Sequence, residues 1–338
     1  MRYTSFQYEL LDRNNVFKRK LNNIESCSIS YKFLSQLKSS ASIVMTDDAR
    51  IDYLNDRVKV YVTINGVQTP LGVFLMSTPS RDIDDTKTTR SITCYSLLQT
   101  LLDDKIETRL TLPVGTNVVN EVKRQISSNY NIADSEQTLS SERTYEVGAN
   151  KLEIINDLLS IINYNSLRVD VNGVYVTEPY VLPTDREVDK VYEEGTDSII
   201  LSKMTDELDL FSVPNVIVRY TNSVDVDPPL SYTYVNDNVN SITSTVNRGR
   251  RIVDAQSTDV SDLETLVAIT KKDAYEYNSI YSHLTFSTAI DTDVLNIYMP
   301  TVWIKVGNIN DKYSITSIEF KCDVGELTKI ESRKVVNI

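Results

Sequence analysis

Alternation of hydrophobic and polar residues dominates the first hundred positions of the chain. Apolar side chains occupy every second position in residues 27–33 and again in residues 58–64. A period of two places one side of a strand in a core and the other side in solvent. The dipeptide Asn65-Gly66 then predicts a tight turn, after which the alternation resumes in residues 71–75. The chain therefore begins with a predicted set of paired strands.

The middle of the chain changes to helical periodicity. Ser96, Thr116 and Asn150 each precede apolar residues that recur every three or four positions, and we predict that they are the N-caps of three helices. A hairpin with Asn172-Gly173 at its turn follows the third helix. This segment therefore combines helices with a short strand pair.

Strand patterns return in the last third, interrupted by one amphipathic helix. Residues 216–220 and 230–234 alternate, and Ser261 with Glu264 has the spacing of a capping box. The helix is predicted over about residues 262–277. Three more strand patterns follow it.

Together these patterns predict an α+β fold that is mainly β. The predicted division is a β-rich part in residues 1–103, an α+β insert with two helices and a hairpin in 104–205, and a second β-rich part in 206–338. Both ends combine strands with one amphipathic helix and a late polar hairpin, 81–90 and 323–334. That parallel suggests an internal duplication, although residue identity between the halves is low.

The charge balance narrows the function classes. The 338 residues include 47 Asp and Glu against 35 Lys and Arg, a formal net charge of −12. Such a surface repels phosphate backbones, which argues against adhesive nucleic-acid binding. With only 9 glycines, a glycine-rich phosphate loop is not expected. No apolar run approaches the roughly 20 residues of a membrane span, and no secretory signal is visible, so we expect a soluble protein.

The residues that usually carry chemistry are few. Cys27, Cys94 and Cys322 lie far apart and are predicted to be buried small hydrophobes rather than a disulfide or zinc set. His283 is the one histidine, so a triad that depends on histidine has a single candidate member. A structural or surface role is the more common one for such a residue.

Carboxylates that lie close together in the sequence are frequent and allow two functional interpretations. Asp47-Asp48 and similar pairs could serve a glycosidase, but their charged surroundings favour solvated surface. Asp225 and Asp227 could bind Ca²⁺, but their spacing matches no EF-hand loop. We predict no catalytic residue, cofactor or metal site.

One basic cluster stands out in this acidic chain. Arg248, Arg250 and Arg251 could grip a phosphate, and we favour the alternative that they form an interface between subunits. Trp303, the one tryptophan, is predicted to lie in the middle of a strand, with its side chain in the hydrophobic core.

Several segments resemble tail hub proteins of phages that infect Gram-positive bacteria. They occur in that family's order and cover nearly the whole chain. The matching segments are 70–79, 95–105, 148–164, 172–183, 211–215 and 247–254.

The resemblance implies two tail-tube-like β-barrel domains flanking the α+β insert. It also implies a homotrimeric ring whose six barrels cap a six-fold tail tube and surround a channel for genome ejection. The helix at 262–277 is then a candidate buttress on the outside, and an acidic channel wall would let DNA slide. Many relatives carry a C-terminal extension with a peptidoglycan hydrolase or receptor-binding part, whereas the given sequence stops at Ile338. Either separate proteins perform those tasks or the sequence is a fragment, so there is no ground for predicting lytic activity.

The implied partners and location follow from that role. The partners are further copies of the chain, a distal tail or tail-tube hexamer protein, the tape-measure protein, and a downstream spike, fibre or receptor-binding protein. DNA would be present only in transit. The location is the virion tail, at the tail tip or baseplate, with assembly in the host cytoplasm.

Two other functions remain open at this point. A receptor- or glycan-binding tail adhesin would present an exposed aromatic groove. A carbohydrate-active enzyme would hold two carboxylates about 5–10 Å apart in a cleft.

Overall fold

The computed structural model describes residues 2–127, 129–208, 211, 213–222, 228–258, 260, 262–279 and 282–336. Strands make up 43% of the chain and helices 16%, so the prediction of a mainly β, α+β fold is confirmed. The strands are β1 (Thr4–Leu11), β2 (Phe17–Leu21), β3 (Ile24–Lys32), β4 (Ser39–Thr46), β5 (Arg57–Ile64), β6 (Val67–Ile83), β7 (Thr88–Ser96), β8 (Leu110–Leu112), β9 (Tyr130–Asn131), β10 (Arg143–Tyr145), β11 (Arg168–Val169), β12 (Tyr175–Val176), β13 (Lys190–Glu193), β14 (Thr205–Leu208), β15 (Val216–Tyr220), β16 (Ser231–Val235), β17 (Val253–Ser257), β18 (Ser282–Thr288), β19 (Thr301–Val306), β20 (Ile309–Lys321) and β21 (Thr328–Lys334). The helices are α1 (Leu98–Asp103), α2 (Val118–Ile126), α3 (Lys151–Ile161), α4 (Thr245–Arg248) and α5 (Leu263–Ser279), with a 3₁₀ turn at Thr292–Val294.

A 13-stranded sheet joins the two ends of the chain. Its main path runs β14-β18-β21-β20-β3-β4-β7-β6-β5-β1-β2, and β19 and β13 extend it from β20. The central junction is the antiparallel pair of β20 with β3, in which Glu319 lies opposite Ser30. Strand pairing closes neither end into a barrel within the described residues, and the two-barrel division remains a prediction.

The sheet contains the same strand order twice. The first block runs β3-β4-β7-β6-β5-β1, and the second runs β14-β18-β21-β20-β19-β13. In each block a tight hairpin leads into an unusually long strand, β6 or β20, which has a register shift along its length. One difference is that β13 pairs with β19 in parallel, whereas β1 pairs with β5 antiparallel. The topology therefore supports the internal duplication that the sequence suggests.

The chain has two insertions, one between the two blocks and one within the second block. Helices α1–α3 and the short strands β8–β12 lie between the first block and the second. A three-stranded sheet, β16-β15-β17, lies between β14 and β18, and α5 packs on it. At the corresponding position the first block has only a turn, residues 33–38. Helix α5 thus covers a sheet of its own, and its role as a buttress of a ring remains a prediction.

Two apolar cores match this layout. One cluster draws buried side chains from both blocks, from Leu10 to Ile330. The other is formed by α1–α3 and the residues around them, including Leu98, Val122 and Leu159. Because one cluster serves both blocks, the ends of the chain are packed together as well as hydrogen-bonded.

The predicted helix starts are right in one case and wrong in two. Asn150 caps α3, where its Oδ1 accepts from the backbone N–H of Glu153 at 2.8 Å. Thr116 does not cap α2, because its hydroxyl donates to the carbonyl of Pro113 and Asn117 is the cap instead. Ser96 is held as the last residue of β7 by pairing with Phe74, so α1 begins only at Leu98.

Other local predictions need smaller corrections. In the polar hairpin predicted at 81–90 the connecting loop is short, because β6 continues to Ile83 and β7 begins at Thr88. Trp303 is only half-buried on β19, and its Nε1 donates to Asn310 Oδ1 at 2.8 Å, so the core prediction is wrong. In α5 the buried face includes Leu266, Thr270 and Ala274 as predicted, while the proposed cap Ser261 lies outside the described residues.

Gly72 sits at the irregularity that bends β6. Its φ is +138°, and a Cβ at this position would lie 2.7 Å from Cζ of Phe74, which is itself buried. We expect Gly72→Ala to lower the free energy of unfolding by about 1–3 kcal/mol. Alanine would be strained at this φ, and its Cβ would overlap the ring of Phe74. Urea denaturation measures the change.

Gly195→Ala is the matched control for this substitution. Nothing lies within 4 Å of a Cβ at Gly195, and no left-handed φ is required there. Its unfolding free energy should stay within about 0.5 kcal/mol of the parent. Equal effects of the two substitutions would contradict the argument for Gly72.

Candidate functional site

The carboxylate pair considered for catalysis is engaged in ion pairs. Asp47 Oδ1 lies 2.8 Å from Nε of Arg90, and Asp48 Oδ2 lies 2.9 Å from Nη2 of Arg50 and 2.7 Å from Nη2 of Arg19. Hydrogen bonds from Arg90 and Arg50 hold the pKa of Asp47 and Asp48, respectively, below the usual range. Both groups are therefore firmly ionised, and neither is tuned to donate a proton.

The other candidate chemical groups do not converge. All three cysteines are free and buried, as predicted, and burial raises the pKa of the Cys94 thiol. Within the part of the chain that the structure describes, no group of three His, Cys, Asp or Glu residues could hold a metal ion. Asp225 and Asp227 lie outside the described residues.

The arginine cluster lies at the C-terminal end of α4. Arg248 Nη1 donates to the carbonyl of Val213 at 2.6 Å, and the Arg250 guanidinium lies 5.4 Å from the ring centroid of Phe211. Phe211 is 79% exposed, and Arg250 and Arg251 are exposed as well. Arg248 thus ties the end of α4 to the distant segment around Phe211 and Val213, which Arg250 also contacts through the Phe211 carbonyl at 3.4 Å. Arg250 and Arg251 remain candidates for an interface.

The solvent side of the central sheet is a distinctive surface. Along β3, residues Cys27, Ile29 and Tyr31 face the shared core, while Ser26, Ser28 and neighbours alternate outward. Cross-strand registers place small hydroxyl side chains on this side of seven strands. We call this side the hydroxyl face, and its serines and threonines are Ser26, Ser28, Ser30, Ser40, Ser42, Thr46, Ser77, Ser80, Thr89, Ser91, Thr93, Thr205, Thr285, Ser287 and Ser317.

The hydroxyl face does not share the acidity of the whole chain. Among its described positions four are acidic and four are basic, so it carries no net charge; they are Asp82, Glu207, Glu319, Glu331, Lys32, Lys321, Lys329 and Arg333. Four of them are paired, Lys32 with Glu319 at 3.1 Å and Lys329 with Glu331 at 2.6 Å. A polyanion next to this surface would meet neither a strong attraction nor the acidic repulsion expected from the composition.

The centre of the hydroxyl face is concave. A groove of about 470 Å³ lies across the junction of β20 and β3, lined by Ser28, Ser42 and Thr93 among others. Short hydroxyl side chains line one wall, and Glu319, Lys321 and Glu326 line the other. Serine and threonine thus dominate the centre of the face, and the aromatic side chain that the registers place on it is Tyr95, beside Ser40.

The sequence contains the signal for this face, but only in part. The alternation of serines with apolar residues in β3 predicts one solvent side. What periodicity cannot show is that β4, β7, β20 and β21 bring matching side chains next to those serines, because that depends on register between distant segments. Among the described helices, none is long and apolar enough to cross a membrane.

Comparisons with known proteins agree with this architecture. No protein-family model matches the chain, and no curated protein matches it by sequence. The fold is similar to that of the tail protein from Neisseria meningitidis MC58, with a TM-score of 0.69 and 14% identity over 97% of this chain and 96% of that one. It is also similar to the 43 kDa tail protein of prophage MuSo2 from Shewanella oneidensis, with a TM-score of 0.64 and 12% identity over 96% and 98% of the two chains.

A third similar structure comes from a secretion machine. It is an E. coli component of the type VI secretion system, described as structurally similar to bacteriophage T4 tail proteins, with a TM-score of 0.55 and 8% identity over 98% of this chain and 77% of that one. The resemblance to tail hub proteins is thus confirmed at the level of fold. This chain has, over nearly its whole length, the fold that phage tail proteins share with a type VI secretion component.

Proposed function

We propose that this chain is a structural hub at the tail tip or baseplate of a phage tail. Three copies form a ring whose six β blocks cap a six-fold tail tube, and the hydroxyl face lines the channel through which the genome leaves. The observation that carries the proposal is the doubled strand order within one continuous sheet. Two equivalent blocks per chain convert three copies into six similar units, which is the number that a six-fold tube requires.

The fold similarity supports the same role. The similar structures named above are tail proteins and a secretion component, and their descriptions name no enzymatic activity. On this proposal the chain is not an enzyme. Its partners are further copies, the tail-tube or distal tail hexamer, the tape-measure protein, and a downstream spike, fibre or receptor-binding protein. It resides in the virion tail after assembly in the host cytoplasm.

The oligomeric mass and symmetry of the purified chain test the ring. We expect a three-copy species by analytical ultracentrifugation and three-fold class averages with a central opening in electron microscopy. Mixing with the tail-tube protein of the same phage should increase the three-copy fraction. A single-copy species throughout, including in that mixture, would rule out the ring.

The lining of the channel gives a separate prediction. Ser42 is exposed on the hydroxyl face, and the three native thiols are buried, so Ser42→Cys introduces the one reactive thiol among the described residues. In the assembled ring we expect a small maleimide to label it fast and a polymer-linked maleimide several-fold more slowly, because the larger reagent is excluded from the channel.

Ser231→Cys, on the small sheet, is the control for labelling. Ser231 is also exposed, but it lies on β16 and away from the central sheet. Both reagents should label it at similar rates. If the polymer reagent reached Ser42→Cys and Ser231→Cys equally fast in the ring, the hydroxyl face would not line the channel.

A further inference from the structure

The central sheet ends on one side in an open edge formed by β14. This strand pairs with β18 only, and all four of its residues are exposed. The carbonyl of Ser287 accepts from the backbone N–H of Leu201, so the odd-numbered residues of β18 present their backbone groups to β14. Thr205 and Glu207 lie opposite Thr285 and His283, so their amides face β18. The amide of Asp206 consequently faces the open edge. Unpaired strand edges of this kind are ready templates for another strand.

A second open edge lies along the last part of β6. Residues 67–75 pair with β5, but from Met76 to Ile83 the strand pairs with β7 alone. Pro79, which has no amide, lies within the register shift between Ser77 and Ser80. The two open edges belong to the two different blocks.

The doubled strand order shows what should fill these edges. In the second block the corresponding part of β20, residues 317–321, is covered by β3, the first strand of the first block. The counterpart of β20 is β6, and the counterpart of β3 is β14. The chain thus contains one junction between blocks, which is the pairing of β20 with β3. It also contains the two counterpart strand edges, on β6 and β14, and both are unpaired in the described part of the chain.

We propose that β14 of one copy pairs antiparallel with the distal part of β6 of the next copy. The intrachain β20–β3 junction is thereby repeated between copies, and the ring closes through one continuous sheet. The contact is head-to-tail, which gives a ring where the rotation between copies closes, as the proposed ring requires, and not a two-fold pair. This inference rests on the proposed ring and specifies the seam that closes it.

The registers of the existing junction predict the register of the new one. On the hydroxyl face one row runs Tyr95–Ser40–Ser30, and Ser30 lies opposite Glu319. The matching row in the second block runs Glu331–Thr285–Thr205. In it Thr205 lies opposite Thr285, just as Ser30 lies opposite Ser40 in the first block. Counting from the hairpins that precede β6 and β20, the counterpart of Glu319 is Ser77. Thr205 of one copy should therefore face Ser77 of the next.

A pair of cysteine substitutions tests this seam directly. In the full chain carrying Thr205→Cys and Ser77→Cys, a short bifunctional maleimide should link copies into covalent two- and three-copy species. Each single variant alone should give none. The matched control is Ser30→Cys with Glu319→Cys, which should cross-link within one chain and leave the mass unchanged.

A second variant weakens the seam and leaves the backbone hydrogen bonds between β14 and β18 of the same chain in place. Asp206→Pro removes an amide that faces the open edge and leaves the odd-numbered amides on β18 in place. We expect at least a tenfold loss of ring affinity, with the melting temperature of the single copy unchanged. No loss of affinity would count against the seam.

The outcomes separate the seam from the proposed function. Three-copy rings that fail to cross-link through Thr205→Cys and Ser77→Cys, while the Ser30→Cys and Glu319→Cys control reacts, would overturn the seam and leave the hub standing. A chain that remains a single copy under every condition would overturn both. Cross-linked three-copy rings would support both.

Discussion

Replacing Arg219 with methionine is expected to unfold the small sheet and α5 while the central sheet stays intact. Arg219 lies on β15 with 3% of its side chain exposed. Its Nη1 is 2.8 Å from Asp254 Oδ2 on β17, and its Nε is 2.5 Å from Asp273 Oδ2 on α5. One guanidinium therefore ties two strands and a helix together.

The size of this effect follows from the two carboxylates that would lose their partner. Breaking a buried ion pair by removing one side costs about 3–5 kcal/mol. Asp254 and Asp273 are 22% and 26% exposed, so water would screen part of the penalty and the lower end is expected, about 3 kcal/mol. The surroundings offer little compensation, because the interior of this unit is largely polar, with Asn236 and Asn278 hydrogen-bonded at 3.1 Å.

Hydrogen exchange measures the loss of stability separately for the small sheet and for the central sheet. In Arg219→Met, peptides from α5 and β15–β17 should lose protection, while peptides from β3, β4 and β20 should keep it. The triple variant that adds Asp254→Asn and Asp273→Asn should regain part of the stability, because it no longer buries unpaired charges. Uniform loss of protection across the chain would contradict a separately cooperating unit.

Truncating Phe286 is expected to destabilise both blocks in one step. Phe286 is 1% exposed on β18, and its ring centroid lies 5.8 Å from that of Tyr192 in an edge-to-face arrangement. Removing a buried aromatic ring costs about 3–5 kcal/mol through lost burial and the cavity left behind. The core cluster that contains it extends from the first block to the second, so the loss is shared.

The readout must report on the two blocks separately. Fluorescence of Trp303 reports on the second block, and hydrogen exchange of β5 reports on the first. Both should shift to lower urea concentration together in Phe286→Ala. Phe17→Ala is the control, because Phe17 is 53% exposed and its loss should change stability by no more than about 0.5 kcal/mol. A shift confined to Trp303 would show that the blocks unfold independently.

Sequence reasoning succeeded where the determining contacts are local. The alternation in β3 and β5, the turn at Asn65-Gly66 and the cap at Asn150 each depend on neighbours within a few residues, and all are observed. It failed where a distant partner decides. Ser96 has a capping pattern, but pairing with Phe74 keeps it in a strand.

The candidate site shows the same division. That Ser26 and Ser28 face solvent is visible in the period of two, but the neutrality of the whole face is not. It depends on Lys32 meeting Glu319 from the far end of the chain, at 3.1 Å. The net charge of −12 predicts an acidic surface on average, and composition carries no information about which side of a sheet a residue occupies.

The unit that contains α5 is inserted in the second block and absent from the first, where residues 33–38 make a simple turn. In the proposed ring this appendage would recur at alternate positions, three times around six otherwise similar units. One rim could then present hexagonal symmetry to the tube while the appendages present triangular symmetry to whatever is attached next. Such a chain would act as a symmetry adapter, reconciling two unequal rotational orders without any change in its own backbone.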